Sequence, residues 1–312
     1  MKVLRLFNAA SDAIRTWARL RRRVLAAPVM VLALSGCATT RVVDKTVLAP
    51  DVRQATLDEL LKKMADEYAG VQTLSLTVNI TATVGGARKG EIKTEPTFAG
   101  YIFLRKPADL RVLMLLPFVR SRAIDMVSDG TNFKMLIPPR NKAIEGSETV
   151  TTPSANGLEN LRPNVIRDAL QIPPVGADEL VAPTENSRLI PPARGQKHAI
   201  EEPDYDIAIL KEKPGGDGVH VLEPLRVIHI SRVNLLPYEQ DIYDTQGRIQ
   251  TTINYSKFKK FGGVDYPMSI LLKRPLDEYT LQIDITKLVL NQKLDDEQFK
   301  LVIPEGVPVQ KM

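Results

Sequence analysis

Apolar and polar residues alternate along much of this chain, and the alternation predicts β-strands. From Leu74 to Val84 nearly every second residue is apolar, and the run ends at Gly85-Gly86, which is typical of a tight hairpin. Such a strand buries one face, because successive side chains point to opposite sides. Comparable strands are predicted over residues 97–105, 109–116, 122–128, 132–137, 205–211, 219–222, 225–233, 239–244, 249–258, 268–273 and 280–289. Many strands with few helices predict one antiparallel sheet, strongly curved or closed.

One segment has a helical period instead. Its apolar stripe consists of Leu57, Leu60, Leu61, Met64 and Tyr68. Thr56 and Glu59 form a capping-box pattern at its start, and Gly70 is a stop signal at its end. We expect this stripe to face the core.

Residues 138–203 interrupt the strand pattern and hold ten of the 22 prolines. Within them, residues 158–170 predict a short helix with Pro163 near its first turn. A long proline-rich connection is either a lid or a loose excursion from the domain. The pattern leaves both open.

The first forty residues contain a basic block, Arg19–Arg23, followed by the uncharged run Val24–Leu34. Eleven residues are too few to span a bilayer as a helix but suit a signal peptide. The single cysteine, Cys37, comes next and excludes a disulfide framework within the chain. By itself it could be a buried thiol, a nucleophile, a metal ligand or an attachment point.

Leu34-Ser35-Gly36-Cys37 resembles the bacterial lipobox. That resemblance implies cleavage before Cys37, removal of residues 1–36 as a lipoprotein signal peptide, and acylation of Cys37. Residues 37–53 show no clear period and are expected to be a lipidated tether. In the enterobacterial sorting rule, Ala38 after the cysteine implies the outer membrane. A buried cysteine in an uncleaved helix is the alternative.

The net charge of +5 has its origin in this leader. Residues 1–36 carry seven basic side chains and one acidic one, so the remainder has 35 basic and 36 acidic groups and a net charge of −1. A chain balanced in this way gives no indication of nucleic-acid binding.

The order of motifs over residues 54–312 resembles LolA and LolB, the bacterial outer-membrane lipoprotein carrier and receptor proteins. The motifs are Gly100–Pro107, with the letters GYIFLRKP, Ser128–Phe133, with SDGTNF, and the end of the chain from Leu290-Asn291 to Val307. With its lipobox, this chain is similar to the receptor, which is lipid-anchored. The resemblance implies a mainly β (α+β) fold, a curved antiparallel half-barrel of about eleven strands. An N-terminal helix and short covering helices would close an apolar cavity that takes acyl chains.

Two sites carry over from the family. A basic residue before the proline of the first motif takes part in gating in the carrier, which makes Lys106, with Arg105 before it, the gating candidate. In the receptor a short loop with an exposed apolar residue after a proline touches the membrane, and its counterpart here is the loop of Leu116 and Phe118, in which Phe118 follows Pro117. The alternative for this loop is that it folds back on the core.

Catalytic and metal-binding motifs are not recognisable in the sequence. None of the three histidines, His198, His220 and His229, has the pair spacing of metal ligands. His229 lies in a predicted strand and is expected to be structural. Asp204 and Asp206 could hold a cation, but acidic residues at a strand start are usually solvated. We therefore predict no cofactor, no metal and no enzymatic activity.

These observations favour a periplasmic lipoprotein, anchored at the outer membrane and monomeric, that binds acyl chains or lipoproteins and hands them over. One alternative is a non-catalytic scaffold or envelope-stress sensor with a filled cavity. Another is a hydrolase whose chemistry lies in the proline-rich segment.

Overall fold

The computed structural model describes residues 45–148 and 161–312. Over these residues it contains two α-helices, α1 (Leu57–Gly70) and α2 (Pro163–Leu170). The strands are β1 (Thr46–Leu48), β2 (Thr73–Gly86), β3 (Glu91–Thr94), β4 (Phe98–Arg105), β5 (Asp109–Leu115), β6 (Arg122–Ser128), β7 (Asn132–Ile137), β8 (Lys142–Ser147), β9 (Glu179–Ile190), β10 (Ala199–Pro214), β11 (His220–Ser231), β12 (Pro237–Tyr243), β13 (Ile249–Phe261), β14 (Val264–Arg274), β15 (Tyr279–Leu290) and β16 (Val309–Lys311).

All sixteen strands belong to one sheet. Their order is β1-β10-β11-β12-β13-β14-β15-β2-β4-β5-β6-β7-β8-β16, with β3 beside β2 and β9 beside β10. Neighbours are antiparallel except at two short contacts, where β1 runs parallel to β10 and β16 runs parallel to β8. The prediction of a mainly β, curved and unclosed sheet is confirmed, with sixteen strands instead of about eleven.

The proline-rich segment accounts for part of this difference. Residues 138–203 contain β8, α2, β9 and the start of β10, so more than half of the described part of the segment is regular structure, with irregular connections at 171–178 and 191–198. Pro183 lies in β9, which is bonded on one side only, to β10. A proline has no N–H to donate and is tolerated at such an edge. The two strands predicted over residues 219–222 and 225–233 are one strand, β11, with a bulge between them opposite Ile209 and Leu210.

The expected tether of residues 37–53 differs from the structure over its second half. β1 pairs with Ala199–Glu201, and the N–H of Ala49 donates to the carbonyl of Glu201 at 2.9 Å. The N–H of Arg53 donates to the carbonyl of Arg232 at 2.7 Å. These backbone bonds hold residues 46–53 along the sheet.

Both helices pack against the apolar, inner face of the sheet. The predicted stripe of α1 is confirmed, because Leu60 and Met64 are buried against a cluster that includes Ile207 and Ile228. The capping box of Thr56 and Glu59 is also present. On α2, Val165, Ile166, Ala169 and Leu170 join the larger cluster formed by β2, β4–β7 and β13–β15. Pro163 occupies the first turn of α2, as predicted, while residues 158–160 lie outside the described part.

Candidate functional site

A cavity of about 360 Å³ lies on the inner face of the sheet, under α2. It is bounded by β2, β4–β7 and β15, whose alternating pattern turns one apolar side chain in two toward it. The lining is almost entirely hydrocarbon or thioether: Ile80, Ala82, Phe98, Val112, Met114, Leu116, Ala123, Ile124, Met126, Met135, Ile137, Leu161, Ile166, Leu281 and Ile283. Its size is that of a small-molecule pocket, and its chemistry suits a flexible apolar ligand.

Polar groups border this cavity at one end. Lys93 and Arg140 are exposed, Glu95 is partly exposed, and all three contribute to the lining together with Pro139. An apolar ligand inside the cavity would therefore have its polar end beside these charges. Lys93 forms an ion pair with Glu95 at 2.8 Å, so these groups make a polar border of mixed charge.

The predicted membrane-contact residues occupy a tight turn between β5 and β6. The N–H of Leu116 donates to the carbonyl of Ser121 at 2.8 Å, and the N–H of Arg120 donates to the carbonyl of Leu116 at 3.0 Å. Phe118 and Val119, at its tip, are 104% and 74% exposed. The alternative, a loop folded back on the core, is wrong in this structure.

Backbone conformation at this turn is unusual for the residues present. Phe118 has φ 67° and Arg120 has φ 52°, in the left-handed region that favours glycine. A bulky residue in this region carries a conformational cost of about 1 kcal/mol or more. No burial of Phe118 compensates for that cost, so the turn presents the ring to solvent at the expense of stability.

Arg105, one of the two gating candidates, lies on the outer face of β4. It donates to Asp109 at 2.7 Å and to Asp296 at 2.8 Å, and its guanidinium is 4.7 Å from the centre of the Phe299 ring. The hydrogen bonds to Asp109 and Asp296 raise the pKa of Arg105 above its ordinary value. Arg105 therefore holds the C-terminal segment, at its short 3-10 helix Asp296–Phe299, against the sheet and does not contact α1 or α2 through these bonds.

Lys106 has a different environment. Its Nζ donates to the carbonyl of Tyr68, near the end of α1, and is 3.4 Å from the centre of the Tyr68 ring. Partial burial lowers the pKa of Lys106. The cation thus joins the end of β4 to α1 by a hydrogen bond and a cation–π contact. Whether this contact gates the cavity stays a prediction.

A buried ionic network that the sequence analysis missed fixes α2 over the cavity. Arg167 donates to Glu148 at 2.5 and 3.0 Å and to the carbonyl of Ala108 at 3.2 Å. Glu148 also accepts from Ser128 Oγ at 2.5 Å. Hydrogen bonding to Glu148 raises the pKa of Arg167. These residues are far apart in sequence. Only Ser128, which begins the motif SDGTNF, could have been selected from the sequence.

Asp168, the next residue of α2, is a titratable group with an altered pKa. Burial raises the pKa of Asp168 to about 6, and the neighbouring Arg167 and Arg226 oppose that shift. A carboxyl group in this position changes its charge within the mildly acidic range.

The lipidation site, Cys37, and the lipobox residues Leu34, Ser35 and Gly36 lie outside the described residues. Among the helices that the structure describes, none has the length and apolar character needed to cross a bilayer. The lipid anchor therefore stays a prediction from the sequence motif.

No protein-family model matches the chain, and no curated protein is similar to it in sequence. Among solved structures, the chain is similar to a LolA superfamily protein from Nitrosomonas europaea, with 13% identity, a TM-score of 0.47, and coverage of 80% of this chain and 99% of that one. It is also similar to a DUF1329 family protein from Desulfovibrio piger, with 15% identity, a TM-score of 0.49, and coverage of 77% and 94%. A domain of the outer membrane lipoprotein-sorting type from Vibrio parahaemolyticus has 10% identity, a TM-score of 0.45, and coverage of 77% and 95%. At these low identities, the similarities concern the fold alone.

Proposed function

We propose that this protein binds an acyl chain, from a lipid or a lipoprotein, in the cavity under α2 and exchanges it at a membrane surface. The observation that carries the proposal is the continuity between cavity and loop. Leu116 lines the cavity, and Phe118, two residues later, is fully exposed. A chain leaving the bilayer beside Phe118 would have an apolar path to the interior.

The driving force is burial of hydrocarbon. Each methylene transferred from water to an apolar site contributes about 0.8 kcal/mol, without any requirement for directional contacts. A lining of branched aliphatic and methionine side chains provides this burial and adapts to different chains. Lys93, which is paired with Glu95 at 2.8 Å, and Arg140 border this lining, where they suit a ligand that has a polar head group next to its acyl chain.

The exposed loop supports the membrane part of the proposal. Phe118 and Val119 are apolar, and Arg120 and Arg122, which follow, are exposed as well. An aromatic ring enters the boundary between headgroups and acyl chains, while arginine interacts with anionic lipids. We place the protein at the periplasmic face of the outer membrane, held by acylated Cys37 and working as a monomer without covalent catalysis. The motif at residues 34–37 supports that location.

The scaffold hypothesis requires a filled interior, and the cavity favours ligand binding over it. Because an apolar site of this size excludes its ligand when a large side chain is added, Ala82→Phe is the blocking variant. Ala99→Phe makes the same change on the outer face of β4 and is its control.

The test measures uptake of a fluorescent fatty acid from anionic vesicles, together with mass spectrometry of protein purified in mild detergent. We expect co-purifying lipid and uptake with the wild type and Ala99→Phe, and uptake weakened by about tenfold or more with Ala82→Phe. Neither bound lipid nor uptake by the wild type, or equal uptake by both variants, would reject the proposal.

A further inference from the structure

The outer face of β10–β12, opposite the apolar core, carries a histidine among carboxylates. His229 in β11 pairs in register with Asp206 in β10 and with Glu239 in β12. Asp241 lies two residues beyond Glu239, on the same face. Three neighbouring strands therefore present these side chains from a rigid backbone, because cross-strand partners have Cβ atoms only about 5 Å apart.

The two ring nitrogens of His229 have different surroundings. Nδ1 is 2.6 Å from Asp206 Oδ1, which fixes the orientation of the imidazole. Nε2 is buried and has no hydrogen-bond partner, and Asp241 Oδ2 is 3.7 Å away from it. Each of the residues His229, Glu239 and Asp241 offers one ligand atom, and these three atoms lie within 4.8 Å of one another.

Negative charge exceeds positive charge around this ring. Asp204, only 1% exposed, lies next to the group, and its Oδ1 has no hydrogen-bond partner. Its other oxygen accepts from Tyr238, whose ring is 5.9 Å from that of His229. Asp206, Glu239 and Asp241 are the carboxylates that act on the imidazole, while Arg188 and Lys273 supply positive charge to Asp204 and Asp241. Three carboxylates therefore share one imidazole at the centre of the group.

We infer that His229 Nε2, Glu239 and Asp241 form a binding site for a divalent transition-metal ion of the Zn²⁺ type. Imidazole and carboxylate are ligands that Zn²⁺ accepts at about 2.0–2.2 Å, and a tetrahedral ion brings them to about 3.4 Å from one another. The Nε2–Oδ2 distance of 3.7 Å is close to this value, and one oxygen of Asp241 and one of Glu239 accept hydrogen bonds from Thr252 and Asn254. Asp206, which contacts Nδ1, corresponds to the carboxylate outside the coordination sphere that orients most metal-binding histidines.

The proposed ion and Asp206 lie at opposite nitrogens of the same imidazole, so that one ring connects three strands. The ion would tie β11 to β12 and, through Asp206, to β10.

The test is made in the full chain with Cys37→Ser, so that no thiol binds the ion. Chelator-treated protein is titrated with ZnCl₂ in a thermal-unfolding assay, and with CoCl₂ in an absorption assay that reports nitrogen and oxygen ligation. His229→Gln and Glu239→Gln remove ligands. His220→Gln is the matched control, because His220 also contacts a carboxylate, Glu212, but is exposed.

We expect Zn²⁺ at about 100 times its Kd to raise the Tm of the parent and of His220→Gln by about 5 °C. His229→Gln and Glu239→Gln, if folded by circular dichroism, should show no such rise and no cobalt absorption bands. Glu239→Gln keeps the inference testable where His229→Gln does not fold. The inference is overturned by an unchanged Tm in the parent, by equal rises in all variants, or by an equal effect of CaCl₂.

Discussion

Leu116 and Phe118 are separated by one proline but face different environments, since Leu116 lines the cavity and Phe118 is entirely exposed. The turn between them depends on backbone bonds from Leu116 and Arg120, not on packing of the phenyl ring. The tip of the turn can therefore change its chemistry without disturbing the cavity. This separation makes membrane contact and ligand binding independently testable.

Replacing Phe118 by glutamate should weaken transfer of an acyl probe from anionic vesicles without lowering stability. A carboxylate does not enter the headgroup boundary, and it opposes the attraction that Arg120 and Arg122 provide. Because Phe118 is exposed, the free energy of unfolding should change by less than about 0.5 kcal/mol. Stopped-flow transfer kinetics and urea denaturation measure the two quantities.

The matched control for that change is Val302→Glu, because Val302 is 83% exposed on the C-terminal segment. Its transfer rate should equal that of the wild type. Unchanged transfer with Phe118→Glu, or equal losses with both variants, would contradict the role of the loop.

Replacing Lys106 by methionine should speed release of a bound acyl probe. Methionine keeps the apolar stem but removes the hydrogen bond to the Tyr68 carbonyl and the cation–π contact, each of which contributes about 1 kcal/mol. A weaker attachment of α1 should raise the release rate several-fold, whereas Lys106→Arg should preserve it. Arg105→Met, which affects the C-terminal segment instead, is the comparison, and an equal effect from it would argue against a specific role for Lys106.

The Arg167–Glu148 pair should show strong coupling in a double-mutant cycle. Removing either partner leaves a largely buried charge uncompensated, so Arg167→Gln and Glu148→Gln should each destabilise the protein by about 3 kcal/mol. The double variant should be less destabilised than the sum of the single variants. Urea unfolding of the three variants measures the coupling, and additive losses would show that the pair does not act as a unit.

Asp168 should make stability fall as the pH rises from about 4 to about 7. Its pKa is raised to about 6 in the folded protein, above its ordinary value of 3.8, so the folded state holds the proton more tightly. The stabilisation present at low pH is lost as the carboxyl ionises through pH 6. We therefore compare the free energy of unfolding of Asp168→Asn with that of the wild type at each pH. This difference should favour the variant by about 2 kcal/mol more at pH 7.5 than at pH 4.5.

Asp178→Asn provides the contrast for this pH series. A hydrogen bond from Lys211 lowers the pKa of Asp178, so its contribution has the opposite sign and is lost at low pH. Chemical denaturation at both pH values measures the difference. A pH-independent difference between Asp168→Asn and the wild type would show that Asp168 does not titrate in this range.

Local pattern was sufficient to predict much of the fold. The period of two between Leu74 and Val84, the capping box at Thr56 and the stop at Gly70 all depend on neighbouring residues, and all were confirmed. Strands without such a pattern were missed. β9 is exposed over most of its length and contains Pro183, and it exists because β10 offers it a bonding partner.

The cavity and the polar clusters depend on residues that only the sheet brings together. Glu148 meets Arg167 of α2 and Ser128 of β6. His229 meets Asp206, Glu239 and Asp241 through strand register. No local spacing encodes these contacts, because register is set by long-range pairing. Local sequence decided which side chains face inward, where the turns lie and where the candidate lipid anchor is. The packing of strands and helices decided which of those side chains meet and what space they leave between them.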